Sequence, residues 1–234
     1  MKTVDVSKPL DIQEIEKVIA TGEEIEVSSY ILSREFDEFV NNLLTVFISE
    51  CNQERTLSSL SYSTDELLAN ANKANCKRVF FAAKHLDINN ADDYKKGMLT
   101  FSTETTVNKE LYQKLQADNK FFIKFRLSFR DEIIKLEVIN NAVLTEIEKQ
   151  RIALKMESAK KYNSMEEALT DIDRTEGSGL GLIIIILMLK QLEITKDCLQ
   201  LGCENGETYA RIILPINELA PLPTFDEFSD LECI

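Results

Sequence analysis

Glu66, Asn70 and Lys73 stand at spacings of four and three in the segment Glu66-Leu67-Leu68-Ala69-Asn70-Ala71-Asn72-Lys73. At about 100° per residue in a helix these three share one face, while Leu67, Leu68 and Ala71 point elsewhere. An acid, an amide and a base on one stripe of a packed helix are the parts that a nucleotide–magnesium site uses. The carboxylate can take a proton from an attacking hydroxyl or water. The amide oxygen can ligate Mg²⁺, which prefers hard oxygen donors. The ammonium can meet a phosphate. The same stripe also suits a solvated amphipathic face with an incidental Glu–Lys pair, and spacing alone does not separate the two.

A second segment bears on the choice. Three of the seven glycines fall within five residues, in Gly177-Ser178-Gly179-Leu180-Gly181-Leu182, just before the apolar run Ile183 to Leu189. Glycine lets a ligand approach the backbone closely, and a helix opening after such a loop offers unpaired N–H groups to an anion. The segment reads as a phosphate cradle. It follows neither G-x-x-x-x-G-K-[ST] nor a strand-led dinucleotide fingerprint. A glycine-rich loop ahead of a buried helix is its structural alternative.

These segments need elements to position them. A helix is expected from Asp11 to Ala20, ending near Gly22, and a strand from Glu24 to Ile31. Ser33 is a candidate N-cap for a helix to about Cys51, with Phe36, Val40, Leu43 and Phe47 on one face. The helix carrying Glu66 is predicted over Leu57–Ala74, followed by a short strand over Val79–Ala82. Asp87 to Asn119 reads as a polar stretch with one helix, Lys109–Ala117. Phe121–Phe129 and Ile133–Ile139 alternate as a half-buried hairpin. Thr145 to Ala168 reads as helical with a break near Asn163-Ser164, and Leu180 to Leu192 as a helix. Cys198–Cys203 and Glu207–Ile216 form a last hairpin through Asn205-Gly206. From Asn217 the tail holds five acids and no base, and is expected to be extended or disordered.

Together the two segments resemble a family. Glu66-x-x-x-Asn70-Ala71-x-Lys73 looks like the N-box of the GHKL ATPases, the group of DNA gyrase, MutL, histidine-kinase catalytic domains and anti-sigma-factor serine kinases. Gly177 to Leu182 looks like their second glycine box, and Thr208 to Ile216 is similar to the last strand of histidine-kinase catalytic domains. The resemblance spans residues 24–216 and implies an α+β two-layer sandwich, with a mixed, mainly antiparallel sheet covered on one face by helices (the Bergerat fold). It implies three units: an N-terminal extension (1–23), an ATPase domain (24–216) with an insertion at about 87–119, and an acidic tail (217–234). It also implies ATP and Mg²⁺ as cofactors. Glu66 would be the base, Asn70 the metal ligand, Lys73 a phosphate contact, and Gly177, Ser178, Gly179, Leu180 and Gly181 the phosphate cradle.

One family motif is altered. Where the family has Asp-x-Gly-x-Gly, this chain has Asn140-Asn141-Ala142-Val143-Leu144. The resemblance puts Asn140 at the adenine amino group as a neutral acceptor, and Ala142 and Leu144 add side chains where the family keeps backbone bare. Between this box and the glycines lies the position of the family's ATP lid. It carries Lys149, Arg151, Lys155, Lys160 and Lys161, which either reach phosphates or an acidic partner, or pair along the helix with Glu146, Glu148 and Glu157. His85 lies after the N-box and no histidine precedes it, so it is read as structural and not as a phosphorylation site.

Composition narrows the partners. The chain has 234 residues and a formal charge of −13, which disfavours nucleic acid and an anionic membrane surface. The longest apolar run, Leu182 to Leu189, is far short of a membrane span, and no signal-peptide pattern opens the chain. Five cysteines without a Cys-x-x-Cys motif suggest reduced thiols and a cytoplasmic setting. The expected function is an ATP-binding, histidine-kinase-like regulatory protein that phosphorylates a protein partner. The alternative is a GHKL-fold module that docks a partner without ATP turnover.

Overall fold

The computed structural model describes residues 1–162, 164–171, 180–192 and 198–216. Six strands form one open sheet in the order β1-β2-β3-β4-β6-β5. They are β1 (Lys2–Thr3), β2 (Glu24–Ser29), β3 (Ile123–Arg130), β4 (Ile133–Asn140), β5 (Leu199–Glu204) and β6 (Glu207–Pro215). β1 runs parallel to β2, and every other pairing is antiparallel. The molecule is thus α+β with a mixed, mainly antiparallel sheet. The two hairpins turn on two residues each, Asp131-Glu132 and Asn205-Gly206, all with positive φ. That geometry matches the right-handed twist of the strands they join.

The helices are α1 (Ile12–Thr21), α2 (Arg34–Glu50), α3 (Leu57–Ala83), α4 (Ala91–Val107), α5 (Lys109–Asp118), α6 (Glu146–Ala159), α7 (Met165–Asp171) and α8 (Leu180–Gln191). The ends of α1 and α2 fall where their residue chemistry puts them. Asp11 caps α1, which stops on Gly22 in the left-handed region, and Ser33 caps α2 by accepting from the Phe36 N–H. The stretch before Glu24 joins the main body: β1 extends the sheet, and Ile15 and Val18 of α1 are buried in the core.

Alternation divides the sheet into two unlike faces. Ile25, Val27, Ile123, Phe125, Leu127, Ile134, Leu136, Val138, Ile212 and Leu214 form one core with α1, α2, the first half of α3, and α8. The opposite face carries charge. The cross-strand row Glu26, Arg126, Glu137, Arg211 and Gln200 alternates in sign over its four charged members. Arg126 pairs with Glu26 at 2.7 Å and Arg211 with Glu137 at 2.6 Å, while Lys135 bridges Glu24 at 2.7 Å and Glu137 at 3.1 Å. The long side chains cover Glu137, which is only 2% exposed.

Two expectations are corrected. Val79–Ala82 is not a strand: α3 runs unbroken from Leu57 to Ala83. Val79, Phe80 and Phe81 are drawn into a second apolar cluster with Cys76, Tyr94, Phe101 and Tyr112, and this packing overrides their local strand preference. Asp87 to Asn119 holds two helices, not one, and both pack on α3. Asn90 opens α4 by accepting from the N–H groups of Asp92 and Asp93. The tail from Asn217 lies outside the described residues.

Candidate functional site

α3 is the spine of the site. Glu66 is half-buried on it, and Asn70 and Lys73 are exposed one and two turns further on. At 1.5 Å rise per residue, Glu66 to Asn75 spans about 14 Å. Tyr62 lies one turn before Glu66, and burial first, then the nearby Glu66 carboxylate, hold its phenol above the ordinary range.

At its Glu66 end the spine meets α8. Gly181, in the first turn of α8, sits directly on the Glu66 carboxylate. A Cβ built there would lie 2.8 Å from Glu66 Cδ and closer still to Oε2. A side chain at 181 would have to displace the Glu66 carboxylate from this position. Glu66 and Gly181, one from each of the two segments singled out by residue type, therefore come together in space. α8 is fixed by burial: Ile183, Ile185, Ile186, Leu187 and Leu189 all enter the main core. Leu180 opens the helix, while Gly177, Ser178 and Gly179 lie outside the described residues.

At its middle the spine meets α6. Lys155 of α6 feels the positive charges of Arg151 and of Lys73 on α3. Burial first, then Arg151 and Lys73, hold the Lys155 ammonium below the ordinary lysine range. The Arg151 guanidinium lies over the Tyr94 ring, 6.0 Å from its centre. Two other lysines of this run follow the pairing reading: Lys149 bonds Glu146 at 2.8 Å and Lys160 bonds Glu157 at 2.9 Å. Glu148 does not pair along the helix. It turns inward to Lys77 and Arg78 of α3, with Arg78 Nη1 donating to its Oε1 at 3.2 Å. Burial alone would raise this carboxyl, but the Arg78 hydrogen bonds and the two positive charges bring it down to about 2. Burial also dominates at Lys77 and lowers its ammonium, since its one acid is shared with Arg78.

At the far end the spine meets the altered box, where several polar groups bond within the chain. Asn140, 3% exposed, donates its amide to Asn75 Oδ1 at 3.0 Å, and Asn75 donates to the Phe122 carbonyl at 2.9 Å. Asn141 Oδ1 accepts from the Phe122 N–H at 2.8 Å, and its amide donates to the Lys120 carbonyl. The Ala142 carbonyl accepts from Thr208 Oγ1 at 2.8 Å, and the Val143 carbonyl from Arg78 Nη2 at 2.6 Å. Thr145 and Glu148 close a reciprocal capping box that starts α6. Asn75, Arg78, Asn141, Glu148 and Thr208 were missed by sequence reasoning. Only Thr145-x-x-Glu148 left a recognisable signature, since the others act across strands and helices.

His85 ends α3 with φ 53, its N–H donating to the Ala82 carbonyl, and it is exposed. Cys51 and Cys76 are free and buried, and burial pushes both thiols up to about 11, away from nucleophilic use. Among the described residues no helix is long and apolar enough to cross a membrane.

Over 214 residues the chain is 36% identical to an uncharacterized protein of Treponema pallidum (strain Nichols). The match covers 91% of this chain and 42% of the relative, so the chain spans less than half of that protein's length. No family model matches the chain, and no solved structure matches it.

Proposed function

We propose that the chain is a histidine-kinase-like ATP-binding regulatory protein of the GHKL type, acting in the cytoplasm on a protein partner. One observation carries the reading: the Glu66–Asn70–Lys73 stripe of α3 and the glycine-opened helix α8, far apart in sequence, meet at the Glu66–Gly181 contact. That meeting is what a single triphosphate site built from the two segments requires. In it Lys73 would offer positive charge to the phosphates. The α8 N-terminus, with Gly177, Ser178 and Gly179 ahead of it, offers backbone N–H groups. Glu66 would accept the proton of an attacking hydroxyl.

Magnesium fits this donor set. Among the described residues no group of three or more His, Cys, Asp or Glu side chains is placed to cage a metal. Asn70 offers one exposed amide oxygen, and magnesium is commonly held by few protein oxygens together with substrate phosphates. Bound there, the ion would supply charge neutralisation on the phosphates.

Calorimetric titration with ATP and Mg²⁺, repeated on Asn70→Ala, tests the reading. Saturable micromolar binding that the substitution abolishes is the expected result, and absence of heat at millimolar nucleotide overturns it. The self-bonded segment from Asn140 to Glu148 favours a second reading, a module that docks its partner without ATP turnover. In either case the partner surface is assigned to the α4–α5 unit, where Leu99, Val107 and Leu111 are exposed.

A further inference from the structure

The second apolar cluster fixes which way α4 and α5 face. Tyr94 and Phe101 of α4 and Tyr112 of α5 turn into it with Phe80 and Phe81. Helical hydrogen bonding crosses the junction of the two helices. The Asn108 N–H donates to the Glu104 carbonyl at 2.9 Å, and the Tyr112 N–H to the Asn108 carbonyl at 3.2 Å. Leu99, Thr103, Val107 and Leu111 therefore follow one another at steps of four along the outward side. Leu99 is 78% exposed, Val107 76% and Leu111 53%. Lys95 and Lys96 stand one turn before Leu99, and Lys109 and Lys114 flank Leu111, all four exposed. The exposed acids of the two helices are Asp92, Glu110 and Asp118. Among the described residues none of these four lysines makes an ion pair, whereas Lys84 holds Glu104 at 2.6 Å. The face is thus an apolar row edged with lysines, on a chain of formal charge −13.

Such a row is complementary to apolar side chains accompanied by acids. The chain carries a segment of that kind. From Asn217, outside the described residues, it holds Glu218, Asp226, Glu227, Asp230 and Glu232 and no lysine or arginine. Phe225, Phe228 and Leu231 recur there every three residues, a spacing that puts them on one side of a helix. The Ile216 N–H is tied to the Glu132 carbonyl at 2.9 Å, at the hairpin end of β3. The other end of that strand, Ile123, follows α5 in the chain. Residues 217–224, fully extended, would cover about 27 Å, the length of the eight residues of β3. We infer that the segment 225–232 docks on the α4–α5 row of its own chain. Its Phe and Leu side chains meet Leu99, Val107 and Leu111, and its acids meet the lysines. Tethering keeps the segment at high effective concentration, so a weak contact suffices. A protein partner that uses this face must displace it. Nothing in the docking depends on the nucleotide site proposed above.

Carbodiimide coupling of lysine amines to carboxylates in the full chain, mapped by mass spectrometry, tests the docking. Links from Asp226, Glu227, Asp230 or Glu232 to Lys95, Lys96, Lys109 or Lys114 are expected. They should be lost at high salt, which screens exposed charges. They should also be lost in the double variant Phe225→Ser/Phe228→Ser and, from the other side of the contact, in Leu99→Ser. Leu99 is exposed, so its substitution leaves both apolar clusters intact, and thermal unfolding of each variant shows that it is folded. Links confined to lysines outside α4 and α5, or no links at all, overturn the docking. Links that both variants retain overturn the part assigned to the apolar row. Links that join only unlike copies, in a mixture of isotope-labelled and unlabelled protein, overturn docking within one chain.

Discussion

Gly181 marks the closest approach in the site, and its substitution separates binding from folding. A Cβ at 181 meets Glu66 Cδ at 2.8 Å, but the atoms it strikes are the far end of a flexible side chain. Glu66 can swing away at small cost, and alanine is the better helix former by about 1 kcal/mol. Gly181→Ala is therefore expected to leave the thermal midpoint nearly unchanged and to weaken ATP binding by about tenfold or more. Calorimetry and thermal unfolding of the same sample check both halves, and unchanged affinity would reduce the Glu66–Gly181 contact to packing. Asn140 shows the limit of reading single residues. Its type suggested an acceptor for a ligand; what the sequence did not show is that its amide nitrogen donates to Asn75, five residues beyond Asn70 on the same helix, which fixes the side chain in place.

At the scale of elements, most of the site's frame was legible because it rests on local chemistry. Asp11 and Gly22 bound α1, Ser33 caps α2, Asn205-Gly206 turns the last hairpin, and the Leu57 start of α3 was placed correctly. The misses concern contacts between elements. Val79-Phe80-Phe81-Ala82 has strand-like residues, and what keeps it helical is the cluster of Tyr94, Phe101 and Tyr112 supplied by α4 and α5. The central residue of that packing is Gly97 of α4. A Cβ there would come within 2.6 Å of Phe81 Cζ and 3.2 Å of Leu86 Cδ1. Phe81 has no room to retreat, since it packs against Phe80 and Tyr94. Gly97→Ala is expected to cost about 1–3 kcal/mol despite the gain in helix propensity. Because this cluster is separate from the main core, hydrogen exchange should quicken in α4 and α5 while the amides of β3 and β4 keep their protection. Uniform loss of protection would show that the two clusters open together.

For the whole molecule, acid is the informative stress. Glu148 is depressed to about 2 against an ordinary value of 4.5, and Glu137 is lowered too: burial opposes the shift, but Arg211 and Lys135 outweigh it. A carboxyl whose folded value lies below its unfolded one stabilises the fold above the unfolded value, and that contribution is lost as pH falls through the folded value. Stability should therefore decline between about pH 4.5 and pH 2. Glu148→Gln leaves Lys77 and Arg78 buried without their acid, at a cost of about 3 kcal/mol near neutrality. Urea unfolding of both proteins at pH 7 and pH 3 should show this gap narrowing at the lower pH. A gap that stays constant would mean that the carboxylate's charge contributes nothing.

The charged face of the sheet has a consequence of another kind. Apolar alternation on the helix side forbids strands to mispair by one residue, since Ile134, Leu136 and Val138 would turn outward. It is blind to a shift by two, which returns every apolar side chain to the core. The row of alternating charge is not blind to it. Sliding β4 by two against β3 sets Lys135 opposite Arg126 in one direction, where Glu137 meets Lys124, and opposite Arg130 in the other, where Glu137 meets only Ser128; in both the Arg126–Glu137 pairing is lost and Lys135 faces like charge. The face that takes no part in the proposed chemistry thus acts as a key, admitting the strands in one alignment and penalising the alternatives that burial alone would tolerate.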